Sequence, residues 1–267
     1  MPINDELGKR MKENYEQVPK YRLTRRTPVI IRIDGKAFHT FTKGFERPFD
    51  NVLGNAMRKT MEYLCNNIQG CIFGYTQSDE ISLVLSDYKR LNSEAWFDYE
   101  VQKMCSIAAS MATMAFNRYF HEECHEWFNS VEYIIFDEFD DVDEHVKNLF
   151  NAYTKACEKG AMFDARVFNI PKEEVVNCIY WRQLDAARNS VQMVGQANFS
   201  HRELQGKSCN VIQDMLHEQK GINWNDYPTM WKRGVCWTRE KGLDYDMPML
   251  KGTDRKYLED LVHYTEE

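Results

Sequence analysis

The chain predicts an α+β fold: a mainly antiparallel sheet in the ferredoxin-like order βαββαβ, followed by a helical C-terminal extension. Three observations carry this. A β-branched run at 29–33 is closed by Asp34-Gly35, a helical pattern from Asp50 leads into two strand-like runs around a short polar loop, and a second wide apolar helix precedes another short strand.

In order, Val29-Ile30-Ile31-Arg32-Ile33 follows Pro28 and is β-branched except at Arg32, which suits a pleated, buried surface; Asp34-Gly35 supplies the turn. Asp50 is a good helix N-cap, and Val52, Ala56, Met57, Met61, Leu64 and Cys65 recur at helical spacing until Gly70. Cys71 to Thr76 and Ile81 to Leu85 read as a hairpin whose tip, Gln77-Ser78-Asp79-Glu80, is rich in turn-forming residues. From about Glu94 to Phe120 a wide apolar face predicts a helix packed on the sheet. Ala165 to Ile170 reads as a fourth strand ended by Pro171, and Lys172 to about Gly195 as a helix. Nucleotide polymerase palms use this order. The expected organisation is a palm-like catalytic domain over 1–190 and an extension over 191–267 packed on it.

Composition excludes several classes. Over 267 residues, 43% hydrophobic and 28% charged with 13 Gly and 7 Pro exclude disordered and fibrous chains. A net charge of −7 excludes a uniformly basic nucleic-acid-binding surface, so any such contact needs a local patch. Residues 9–36 form one cationic block, with Lys9, Arg10, Lys12, Lys20, Arg22, Arg25, Arg26, Arg32 and Lys36, which reads either as a solvated N-terminal helix and loop or as a phosphate-contacting patch. Eight cysteines without a CxxC pair exclude a zinc ribbon or thioredoxin motif and read as free thiols in a reducing compartment. No apolar stretch approaches the roughly 18 to 20 residues that span a bilayer. The expectation is a cytoplasmic protein without a membrane partner.

Asp34 ends the first strand and Asp79 sits on the hairpin tip, two points that are neighbours in this fold. Paired carboxylates beside the Gly35 carbonyl are hard oxygen ligands suited to Mg²⁺, and two such ions could serve an in-line phosphoryl displacement. Glu80 adds a third carboxylate, Ser78 could bond a phosphate oxygen, and Lys36 and Arg47 place cations nearby. His39 reads as a packing histidine. Spacing alone leaves open that Asp34-Gly35 is only a turn and Ser78-Asp79 only a hairpin loop.

The ordered motifs Ile31-Arg32-Ile33-Asp34-Gly35-Lys36, Phe38-His39, Phe45 to Pro48, Gly74-Tyr75-Thr76-Gln77-Ser78-Asp79-Glu80, Phe163-Asp164-Ala165-Arg166 and Trp181-Arg182-Gln183 with Asp185 resemble the tRNA-histidine guanylyltransferase family, the 3′ to 5′ polymerases. The resemblance implies a palm fold, two Mg²⁺ ions, ATP and GTP or other nucleoside triphosphates as substrates, tRNA as the acceptor of 5′ nucleotides, and a homotetramer. It implies Asp34, the Gly35 carbonyl and Asp79 as metal ligands. It also implies a nucleotide site lined by Asp34, Gly35, Lys36, Ala37, Phe38, His39, Ser78 and Asp79, with Glu80 as a further acidic position. Where members dedicated to histidine tRNA show His-Ile-Asn-Asn, this chain has Ala187-Arg188-Asn189-Ser190, which looks like the "like-protein" branch that repairs truncated 5′ ends. Asp98, Tyr99 and Glu100 stand where basic residues are expected, and the acidic segment at about 121–160 looks like an insertion.

Other signals are weak. Gly206-Lys207-Ser208 has His201 where a P-loop needs glycine, so a Walker ATPase is rejected. His121 and His125 lack the HExxH spacing and read as a solvated helix end, and Asp137 to Glu144 reads as a solvated acidic face. Trp181 and Trp231 read as core or interface residues. A palm-fold nucleotide cyclase and a catalytically silent tRNA-binding protein remain alternatives.

Overall fold

The computed structural model describes residues 5–137 and 144–264; the acidic run, apart from its end residues, lies outside them. The first half of the chain forms α1 (Glu6–Met11), β1 (Val29–Gly35), α2 (Phe38–Phe41), α3 (Asn51–Asn67), β2 (Cys71–Gln77), β3 (Glu80–Leu85) and α4 (Val101–Asp137). There follow α5 (Glu144–Lys159), β4 (Phe163–Asn169), α6 (Lys172–Asn198), α7 (His201–Leu204) and α8 (Cys209–Lys220). The chain ends in α9 (Thr229–Arg233), β5 (Val235–Thr238), β6 (Gly242–Asp244) and α10 (Lys256–Val262).

One six-stranded sheet, ordered β4-β1-β3-β2-β5-β6, joins these elements, and every pairing is antiparallel. The expected α+β palm order is present, and the C-terminal region adds two strands to it: β5 pairs with β2, setting Cys236 opposite Tyr75. The helix α6 runs unbroken through residue 190.

Strand alternation divides the core between the two faces of the sheet. Val29, Ile31 and Ile33 of β1 face the same side as Ile81, Leu83 and Leu85 of β3, and pack with Met57, Met61 and Leu64 of α3 and Met104, Ala108 and Phe116 of α4. An aromatic cluster of Phe38, Phe41, Phe45, Phe116, Phe120 and Tyr153 ties α2, α4 and α5 together, with ring centroids 5.0 to 6.3 Å apart. On the opposite face Ile30, Phe73, Tyr75 and Val84 pack against Val175, Val176 and Ile179 of α6 and Leu258 and Val262 of α10.

Asp50 caps α3 as expected, its Oδ1 accepting from the Leu53 amide at 2.8 Å, while its Oδ2 accepts from the Tyr153 hydroxyl at 2.7 Å. The second long helix departs from expectation at both ends. Trp96–Tyr99 forms a separate single turn, in which Phe97 and Asp98 take left-handed φ values of 51° and 50° that no α-helix tolerates, so α4 starts at Val101. It then continues to Asp137, so within 121–160 the described residues are the end of α4 and then α5, which packs on the palm through Tyr153 and Leu149. His121 and His125 accordingly lie within α4 and not at a helix end. Among the described residues no helix is long and apolar enough to cross a membrane.

Candidate functional site

The register between β1 and β3 places Asp34 directly opposite Glu80, and that between β1 and β4 places it opposite Asp164. A two-residue loop, Ser78-Asp79, closes the β2–β3 hairpin, with Ser78 at φ 49°. The Gly35 amide donates to the Asp79 carbonyl at 3.1 Å, and the Lys36 amide to the Met162 carbonyl at 2.8 Å, so the end of β1 is held between the hairpin tip and the entry to β4. A Cβ at Gly35 would overlap the Phe38 ring, so the glycine lets the chain turn tightly over a buried phenylalanine that anchors α2. Asp34 and Asp79 are thus brought together as expected.

Their electrostatics are set by burial and by two neighbouring arginines. Burial first, and then the Asp34 charge, push the Asp79 carboxyl up from its ordinary value, against the opposing hydrogen bonds from its own backbone and from Ser78. Asp34 Oδ2 is shielded from solvent yet accepts no hydrogen bond. Arg166 Nη2 and Arg32 Nε approach it only to 3.3 and 3.5 Å, and Arg32 Nε is itself without a hydrogen-bond partner. A carboxylate oxygen ion-paired with two arginines but hydrogen-bonded to neither, beside a second, buried carboxylate, is a donor set that a hard divalent ion suits. Among the described residues no group of three or more His, Cys, Asp or Glu is placed to hold a metal. An ion here would therefore rely on two carboxylates together with backbone, water or substrate oxygens, the set that Mg²⁺ favours.

Glu80, grouped with the catalytic carboxylates from sequence, has a different setting. Arg182 of α6 grips it bidentately, Nε to Oε1 and Nη2 to Oε2, both at 2.6 Å, and Arg182 also reaches Asp185 at 2.8 Å. With both oxygens engaged, Glu80 fastens α6 to the hairpin. The neighbouring Gln183 is fully buried and clamps the C-terminal region, donating to the Pro248 carbonyl and accepting from the Leu250 amide, both at 2.9 Å. The Trp-Arg-Gln…Asp motif is therefore largely scaffolding behind the site.

Lys36 and Ala37 are exposed at the turn, Arg47 is exposed, and Ala37 takes a left-handed φ of 54° to start α2. His39 is exposed too, which corrects its reading as a packing histidine: α2 buries Phe38 and Phe41, so the intervening position faces outward. Its Nε2 lies 3.2 Å from Thr40 Oγ1.

Arg32 and Arg166 stand in the quoted motifs, and Arg32 in the basic block, but neither received a place in the site from the sequence. Arg32 precedes Asp34 by two positions and so shares its face of the sheet, a signal that strand alternation does contain. Trp181 is no core residue: it is 53% exposed, with the Arg182 and Arg32 guanidinium groups 4.5 and 5.8 Å from its ring. Beside the hairpin tip a cleft opens between α3, α6 and α9, lined among others by Met57, Arg58, Ser78, Asn189, Ser190 and Trp231.

Comparison with known proteins places the chain in a family. Residues 8–171 match the family described as tRNAHis guanylyltransferase. The tRNA(His) guanylyltransferase of Schizosaccharomyces pombe is 26% identical over 86% of this chain and 81% of its own length, and the uncharacterized protein R259 of Acanthamoeba polyphaga mimivirus is 27% identical over 87% and 77%. A bacterial tRNA(His) guanylyltransferase-like protein solved in complex with ATP superimposes with a TM-score of 0.80 at 39% identity, covering 97% of this chain and 100% of that one. A bacterial like-protein in complex with GTP gives 0.74 at 36%, covering 97% and 99%. The Saccharomyces cerevisiae enzyme, at 22% identity and a TM-score of 0.61 over 86% and 92%, shares the fold. The chain belongs to the tRNAHis guanylyltransferase family and is a nucleotidyltransferase.

Proposed function

We propose that this protein adds nucleotides in the 3′ to 5′ direction to the 5′ end of tRNA, by phosphoryl transfer at Asp34 and Asp79. The observation that carries this reading is geometric: Asp34, with an Oδ2 that accepts no hydrogen bond, is held beside Asp79 by the Gly35-to-Asp79 backbone bond. Asp34, Asp79 and the Gly35 carbonyl would hold two Mg²⁺ ions, which when bound supply charge neutralisation and an activated hydroxyl. Arg32, Arg166 and Lys36 surround the same turn and counter the charge of a phosphate chain, a role in which positioning and electrostatics do most of the work. Glu80 acts as a positioning residue through Arg182.

The reaction has two steps. A 5′-monophosphate oxygen of the RNA attacks the α-phosphorus of ATP and releases pyrophosphate. The 3′-hydroxyl of an incoming nucleoside triphosphate then attacks the adenylylated 5′ phosphorus and releases AMP. Ala187, where dedicated enzymes have histidine, supports template-directed repair of shortened 5′ ends over strict addition to histidine tRNA.

The test is extension of labelled 5′-monophosphorylated tRNA, intact and lacking its first nucleotide, with ATP, all four triphosphates and Mg²⁺. Templated restoration of the shortened tRNA is expected, and its loss in Asp79→Ala. Preference for one guanylate on intact histidine tRNA would overturn the repair reading. No addition under any nucleotide condition, or cyclic nucleotide formed without RNA, would overturn tRNA extension altogether.

A further inference from the structure

Arg58 carries a buried charge that the protein itself does not neutralise. The residue lies on α3 and is 5% exposed, and its Nε has no hydrogen-bond partner. Its hydrogen bond is to a neutral group: Nη2 donates to Asn55 Oδ1 at 2.5 Å. Its guanidinium is 5.3 Å from the Trp231 ring and 5.6 Å from the Tyr245 ring. No carboxylate forms an ion pair with it among the described residues. Glu123, whose charge reaches it most directly, is already taken by Lys59 at 2.5 Å and by the Asn55 amide at 2.7 Å. Burial accordingly pulls the guanidinium below its ordinary value.

An uncompensated buried cation costs several kcal/mol, and folding alone gives no reason to keep one. The surroundings supply a reason. Arg58 lines the cleft that continues to Ser78, the neighbour of Asp79. Asn189 and Ser78 add neutral hydrogen-bonding groups, and Trp231 forms an apolar wall. Gly54 makes this wall fit, because a Cβ there would lie 2.6 Å from the Trp231 ring.

We propose that this cleft is an anion site in which Arg58 binds a phosphate group of a substrate, carried either by a nucleoside triphosphate or by the 5′ end of an RNA. That the ligand is a substrate rests on the proposed function; that the cleft takes a phosphate rests on Arg58 and its neighbours. A planar guanidinium that is stacked, desolvated and short of acceptors is preorganised for bidentate capture of phosphate oxygens.

The experiment compares wild type with Arg58→Met by equilibrium binding of three probes: GTP, a 5′-phosphorylated RNA oligonucleotide and the same oligonucleotide with a 5′-hydroxyl. Thermal melting is recorded alongside. Binding of one phosphorylated probe is expected to weaken about tenfold or more, the hydroxyl probe to be unaffected, and the melting temperature to stay level or rise, as when a buried charge gives way to an apolar side chain. Weakening for GTP alone assigns the site to the triphosphate, and weakening for the 5′-phosphorylated RNA alone assigns it to the RNA end. Unchanged binding of both, with or without a lower melting temperature, would overturn the proposal and leave Arg58 a structural residue. Should Arg58→Met fail to fold, Arg58→Gln removes the charge while keeping a donor for its neighbours, and the same losses decide. None of these readouts requires turnover, so a wild type that binds but does not extend tRNA would refute the proposed function and leave this inference standing.

Discussion

The two faces of β1 obey one alternation and end in different chemistry. On the α3–α4 face Val29, Ile31 and Ile33 are all fully buried, an apolar row from end to end. On the α6 face the row runs from Ile30, buried against Val84, through Arg32 opposite Ser82, to Asp34 opposite Glu80. Helix α6 covers the apolar end, and at the charged end it presents Arg182 and the exposed Trp181. The difference shows where the fold spends burial and where it gives it up: the site occupies the stretch of sheet whose second face is polar.

Substitutions on the two faces should separate activity from stability. Asp79→Ala has the largest expected effect, a loss of nucleotide addition of about ten-thousandfold, or ~5 kcal/mol of transition-state stabilisation, with a melting temperature that holds or rises because it removes a buried carboxylate and its repulsion with Asp34. A comparable fall in melting temperature would erase the contrast. Arg182→Met is next, destabilising by roughly 3 to 5 kcal/mol in denaturant unfolding, since it leaves Glu80 buried and unpaired. Adding Glu80→Gln in the same chain should recover much of that loss, as a double-mutant cycle would register.

On the apolar face Ile31→Ala should cost about 3 kcal/mol of stability by the same measurement, while the specific activity of the folded fraction stays near wild type. Trp181→Ala should be the mildest, within about 1 kcal/mol, because an exposed ring is removed and only its cation–π contacts with Arg32 and Arg182 are lost. A larger cost would mean that α6 depends on the ring for packing, and that the charged end of the face is more closed than its exposure indicates.

Much of this was legible before any coordinates. The β-branched run to Asp34-Gly35, the Asp50 cap and the Ser78-Asp79 tip are local signals, each within one turn or one hairpin, and each stands where it was expected. Asp34 and Asp79 could be paired because the βαββαβ order leaves few topologies. The boundaries of α4 were not legible, since Trp96 and Phe97 continue the apolar pattern although their backbone does not continue the helix. The outward setting of His39 was also hidden, because α2 is too short for its periodicity to show.

By itself the sequence determined the sheet-forming segments, the carboxylates at their ends and the resemblance that names the chemistry. These rest on spacing along the chain, which backbone geometry converts directly into a face or a turn. Only the tertiary structure decided the partners: Arg182 gripping Glu80, Cys236 set beside Tyr75, and Arg58 enclosed by Trp231 and Tyr245 without a counter-charge. Such contacts join residues far apart in the chain, and charge compensation inside a protein depends on which groups fall within a few ångströms of one another, a distance that no one-dimensional pattern records.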